Sequence, residues 1–182
     1  MLKLIHSDGT LKKNIIKTAE CIVDAYLNDK KLILCGNGGS AADAQHIAAE
    51  FVSRFYMERK ALDAEALTTN TSVLTAIGND YSFDRIFARQ VEAKGKRGDI
   101  LLGISTSGNS VNVIEAFKTA KELNMKTIVL TGQKVNSKLI KYCDVILNIP
   151  STITPRIQEA HIFIGHMICE YVELKLFGDK NE

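Results

Sequence analysis

Tryptophan is absent from this chain of 182 residues, and proline occurs only twice. Disordered and fibrous classes are excluded, because 46% of residues are apolar and 24% charged, the balance of an ordinary globular protein. No Cys-x-x-Cys pair exists. The four cysteines, Cys21, Cys35, Cys143 and Cys169, stand far apart in apolar stretches, as small buried hydrophobes in a reducing compartment would. No uninterrupted apolar run approaches the roughly 18 residues of a membrane span. Charge of one sign is lacking too. Against 23 Lys and Arg stand 21 Asp and Glu, for a net charge of +2, and no dense basic run points to nucleic acid. Met1–Ser7 has no apolar core of signal-peptide length. The expectation is a soluble, cytoplasmic chain with neither membrane nor nucleic acid as partner. Its length fits one domain, which buries roughly 70% of its unfolded surface and needs no disulfide or metal staple.

Five apolar runs rich in β-branched residues are present: Lys31–Gly36, Asp63–Thr68, Asp99–Ser105, Lys126–Thr131 and Val145–Ile149. They are nearly continuous rather than alternating, which is the pattern of strands buried on both faces of a parallel sheet. Helical patterns separate them over Ala41–Phe55, Ser82–Lys94 (Ser82 as N-cap, Gly95 as stop), Ser110–Leu123 and Asn136–Tyr142. The alternation predicts a doubly wound α/β domain with a five-stranded parallel sheet. Leu11, Ile15, Ala19, Ile22 and Tyr26 recur at helical spacing before this unit. After it, Thr154 can cap a helix, Pro155 suits its first turn and Gly178 follows its end. That last helix is apolar nearly all round, from Ile157 to Phe177, so it must be covered on more than one side. Packing of both flanking helices between subunits is expected. The predicted organisation is a single domain over 1–182: a helical extension over 1–30, a parallel α/β core over 31–150 and a C-terminal helix over 151–182.

Two strand-to-helix loops are built for an anion. In Gly36-Asn37-Gly38-Gly39-Ser40, three glycines allow backbone N–H groups to turn inward at a helix N-terminus. Gly36-x-Gly38-x-x-Ala41 also matches the dinucleotide fingerprint, but the second strand ends Thr68-Thr69-Asn70 without the acid that holds a ribose. In Ser105-Thr106-Ser107-Gly108-Asn109-Ser110, four hydroxyls surround a glycine and can donate to one phosphoryl group. A flavodoxin-like strand order makes strands one and three neighbours at the switch point, so the loops converge on one crevice.

These loops, with Gly78-Asn79-Asp80 and Arg156-Ile157-Gln158-Glu159, resemble the phosphoheptose isomerases of the sugar isomerase (SIS) domain superfamily. The match runs along nearly the whole chain. The resemblance implies a three-layer SIS fold and a homotetramer. It further implies conversion of D-sedoheptulose 7-phosphate to D-glycero-D-manno-heptose 7-phosphate, towards the heptose of lipopolysaccharide or capsule. It places Asn37, Gly38, Gly39, Asn79, Asp80, Ser105, Thr106, Ser107, Ser110 and Gln158 at the substrate. Ser40 belongs to the first anion loop, and Arg54 has the reach for a phosphate or hydroxyl.

Such an isomerisation needs a base for the carbon beside the carbonyl, an acid, and stabilisation of an enediolate. His46 and Glu50 are four apart on one helix face. Gln158 and His166 differ by roughly 80° around the last helix, close enough for one site, whereas His161 points roughly 140° from His166. His6 has no assigned role. The resemblance makes Glu50 and His166 the acid–base pair. It also implies one zinc per subunit on His46, Glu50, Gln158 and His166. Two other readings share these loops: an isomerase of another sugar phosphate, and a non-catalytic SIS protein that binds the replication initiator. Presence of all four donor residues argues against the second, since a scaffold has no need of all four.

Overall fold

The computed structural model describes residue 3 and residues 7–133 and 137–178. His6 and Asn136 lie outside the described residues. Helix α1 (Gly9–Leu27) opens the described chain, capped by Asp8, whose Oδ1 accepts the Leu11 N–H at 2.9 Å. Then follow β1 (Leu32–Gly36), α2 (Gly39–Val52), β2 (Ala64–Ala66), α3 (Thr71–Asp80), α4 (Ala88–Lys94), β3 (Ile100–Ser105), α5 (Val111–Glu122), β4 (Lys126–Gly132), β5 (Val145–Ile149) and α6 (Thr154–Phe177). Among the described residues, no helix is long and apolar enough to cross a membrane.

The sheet is wholly parallel, in the order β2-β1-β3-β4-β5, as the apolar runs predict. Alternate residues of each strand serve two cores. Leu32, Leu34, Leu102, Ile104, Ile128 and Leu130 face α1, α2 and α6. Ile33, Cys35, Leu101 and Val129 face α4 and α5, with Leu74 and Ile77 of α3 packed at the margin. Gly36 pairs with Ile104, so the β1 and β3 loops emerge side by side. The cysteines are free, and burial pushes the thiols of Cys35, Cys143 and Cys169 up to about 12, leaving them protonated.

The structure departs from the sequence pattern at several points. The segment holding Asn79 and Asp80 is not a turn but the last turn of α3, a helix that Asn70 caps by accepting the Val73 N–H at 3.0 Å. None of its residues is fully buried, so its apolar period is faint. The expected Ser82–Lys94 helix divides into a 3₁₀ turn at Phe83–Arg85 and α4, with the Ile86 carbonyl taken by the Gln90 side-chain amide at 2.9 Å. Of the segment ending at Tyr142, Ile140–Tyr142 is a 3₁₀ turn. Thr154 is the first residue of α6 rather than its cap, which is Ile153. Helix α2 stops at Val52, short of Phe55, because its terminal carbonyls are captured by the Arg59 guanidinium: Glu50 O at 2.8 Å and Phe51 O at 2.7 Å.

His161 lies in the α6 core with no exposed surface, and neither ring nitrogen has a hydrogen-bond partner among the described residues. Burial pulls its pKa down to about 4; the Thr131 backbone nearby, short of hydrogen-bond geometry, offsets this only in part. An unfolded histidine titrates near 6.5, so the unfolded chain takes up a proton between pH 6.5 and 4 that the fold refuses. Stability therefore falls as pH falls through that window, by about 3 kcal/mol in total. Urea unfolding from pH 7 to pH 4 is expected to show this loss in the wild type and its disappearance in His161→Gln. Parallel pH curves for the two proteins would exclude it.

Candidate active site

The first loop leaves β1 at Gly36 and enters α2 through Gly38, whose φ of 56° lies in the region glycine favours. The second leaves β3 at Ser105 and enters α5 after Ser110. Neither helix start is capped by the side chain of its own N-cap residue. The Val113 N–H is taken by the Asn112 side chain at 2.9 Å and the Ser40 N–H by the Asn37 carbonyl at 3.0 Å, while the positive dipole ends of both helices lie beside the two loops. Ser105 and Ser110 hydroxyls stand 3.2 Å apart, and the Ser107 hydroxyl accepts the Asn109 N–H at 3.2 Å. Ser40 is buried beside the first loop, and Thr106 and Ser107 are half-buried in the second. Neither loop holds a lysine or arginine.

The loops are joined by a pair that the sequence reading missed. Asn37 Nδ2 donates to Asn112 Oδ1 at 2.9 Å, and Asn112 Nδ2 donates back to Asn37 Oδ1 at 2.9 Å. Asn112 is 2% exposed in the first turn of α5.

Helices α2 and α6 bring His46, Glu50 and His166 together. His46 Nε2 lies 3.1 Å from Glu50 Oε1 and 3.4 Å from His166 Nε2. One ligand atom from each of the three residues lies within 4.8 Å of the other two. The His46 and His166 rings meet edge-on, centroids 5.0 Å apart, and the Phe55 ring lies 5.7 Å from that of His166. One imidazole nitrogen facing both a carboxylate oxygen and a second imidazole nitrogen needs a proton or a cation between them. The donor set of two imidazoles and a carboxylate fits a divalent metal with a position left open. Gly165 permits this approach: a Cβ there would lie 2.7 Å from Ile47 Cδ1 on α2.

Gln158 lies against the first loop, its Nε2 2.5 Å from where a Cβ on Gly39 would sit. His161 points into the core, away from His166, as the helical arithmetic predicts. Asn79 donates to Asp80 at 2.9 Å, both exposed at the end of α3. Arg54 is 59% exposed, 3.7 Å from Glu58, and not on α2.

The SIS domain model matches residues 3–132. The phosphoheptose isomerase of Clostridium acetobutylicum is 59% identical, over 97% of this chain and 89% of that protein. The chain belongs to the phosphoheptose isomerase family. Solved structures agree. The Neisseria gonorrhoeae phosphoheptose isomerase superposes with a TM-score of 0.83 at 50% identity, covering 88% of this chain and 85% of that one. For the Francisella tularensis phosphoheptose isomerase the TM-score is 0.88 at 40% identity, over 92% and 89%. The fold of this chain is therefore that of the solved phosphoheptose isomerases.

Widening the α2–α6 contact is expected to damage the site more than the fold. Gly165→Ala should cost about 1–3 kcal/mol of stability by overpacking against Ile47. Displacing His166 from His46 should lower isomerase kcat by about tenfold or more. Thermal unfolding and steady-state kinetics of the variant check both; an unchanged kcat would dismiss the role of the close approach.

Proposed function

We propose that this chain interconverts D-sedoheptulose 7-phosphate and D-glycero-D-manno-heptose 7-phosphate, supplying heptose for lipopolysaccharide or capsule. The observation that carries this reading is the His46–Glu50–His166 cluster, borne on the two helices that meet at the first anion loop. The phosphate sits between the loops, held by N–H groups, by Ser105, Thr106, Ser107 and Ser110, and by Ser40 near the α2 start. Asn37, Gly38, Gly39, Asn79, Asp80, Gln158 and Arg54 complete the sugar contacts. Glu50 takes the proton from C1 of the open-chain ketose, and the proton returns at C2. His166 opens the ring and moves the hydroxyl proton between O1 and O2, so no net proton is gained or lost.

His46, Glu50 and His166, with Gln158, would hold one zinc per subunit, which when bound supplies Lewis acidity toward a substrate oxygen. The donor set of the cluster supports this choice. In this reading 1–182 is one SIS unit: 31–150 carries the loops, and 1–30 and 151–182 carry the flanking helices. It is cytoplasmic, with no membrane or nucleic-acid partner. It assembles as a homotetramer through α1 and α6. Exposed apolar residues on these helices support the assembly: Ile16 at 47% and Leu27 at 71% on α1, Phe163 at 42%, Met167 at 39% and Leu174 at 56% on α6.

Glu50→Gln and His166→Gln should each reduce turnover of sedoheptulose 7-phosphate by at least about a hundredfold while calorimetry still detects binding. Wild-type rates in either variant refute the assignment. Chelation followed by zinc add-back, with turnover measured throughout, separates a catalytic from a structural metal. Light scattering at micromolar concentration is expected to give four chains per particle; monomer alone would remove the tetramer.

A further inference from the structure

A buried ion pair ties α2 to α6 behind the cluster. We propose that Arg59 and Glu173 are positioning residues, whose contact holds Glu50 and His46 in register with His166. Their side chains are 2% and 3% exposed, with Arg59 Nε 3.1 Å from Glu173 Oε1. Arg59 Nη2 donates to the carbonyl of Glu50 itself at 2.8 Å, and Nη1 to that of Phe51 at 2.7 Å. The guanidinium therefore fixes where α2 ends. Glu173 accepts the N–H groups of Phe55 at 3.0 Å, Tyr56 at 2.7 Å and Met57 at 2.9 Å. Phe55, fixed through that bond, lays its ring against His166.

Glu173 stands seven residues beyond His166 on α6, roughly two turns, and so on the same face. The contacts close a ring: Glu50 to Arg59, Arg59 to Glu173, along α6 to His166, across to His46 and back to Glu50. A buried ion pair adds little net stability over apolar residues of equal volume. What this one supplies is geometry, because the planar fork meets carbonyls and a carboxylate at fixed angles that a lysine cannot reproduce.

The inference rests on reading the cluster as the reaction centre. Its test uses the full-length protein and the variants Glu173→Gln and Arg59→Lys. Ile22→Val, a core change on α1, serves as a control for stability loss. Three quantities are measured: kcat and KM for sedoheptulose 7-phosphate, the visible spectrum on adding Co²⁺, and the thermal midpoint. Each pair variant should lose about tenfold or more in kcat with KM within about twofold, since the phosphate loops are untouched. The Co²⁺ bands should weaken or shift, while Ile22→Val keeps wild-type kcat and spectrum. If Glu173→Gln fails to fold, Arg59→Lys, which retains the charge balance, carries the test. Wild-type kcat and spectrum in the pair variants, or equal losses in the control, overturn the inference. A wild type that binds Co²⁺ without converting the sugar sinks the functional reading alone, and the spectra then decide. A wild type that turns over without Co²⁺ bands leaves kcat and KM to decide.

Discussion

Helices α2 and α6 touch where Gly165 lies over Ile47, and the cluster of His46, Glu50 and His166 forms only because they do. The two helices belong to opposite ends of the sequence. One follows the first strand and the other follows the last. Only their packing on one side of the sheet brings His46 and Glu50 to His166. The side chains at the crossing are small on one helix and branched on the other, so the helix axes can close until imidazoles on each meet.

The sheet provides the second half of the arrangement. Because β1 and β3 are neighbours in a parallel sheet, their loops leave from the same edge and the helices that follow begin side by side. A chain of near-neutral charge can then face an anionic substrate without lysine or arginine in either loop. On the proposed function, oriented N–H groups and hydroxyls would take the place of mobile cations. Their field is fixed by the backbone, so it needs little reorganisation when charge develops nearby.

Strands were the most legible feature of the sequence, since burial on both faces writes itself as an unbroken apolar run. The shortest, β2, covers only Ala64–Ala66 of the expected Asp63–Thr68, pairing with Leu32–Leu34 of β1 alone. Helix α3 was hidden for the opposite reason: it buries no residue completely, and Gly78 interrupts its pattern. Its Asn70 cap was the one clue. At the site, His46 and Glu50 could be paired by spacing, because one helix carries both. His166 needed the family resemblance, since nothing local says which face of α6 meets α2. Asn112, Arg59 and Glu173 escaped notice because a charged or amide side chain shows its partner only when the fold brings that partner from far along the chain. Arg59 and Glu173 are 114 residues apart.

The reciprocal amide bridge between Asn37 and Asn112 has a thermodynamic consequence for ligand capture. Two loops that a ligand must draw together cost conformational entropy at every binding event. Here that ordering is completed once, during folding, by two hydrogen bonds that bind nothing foreign. On the proposed function, the two loops would meet the substrate phosphate already assembled, and the binding free energy gained would be left for holding the sugar in a reactive pose.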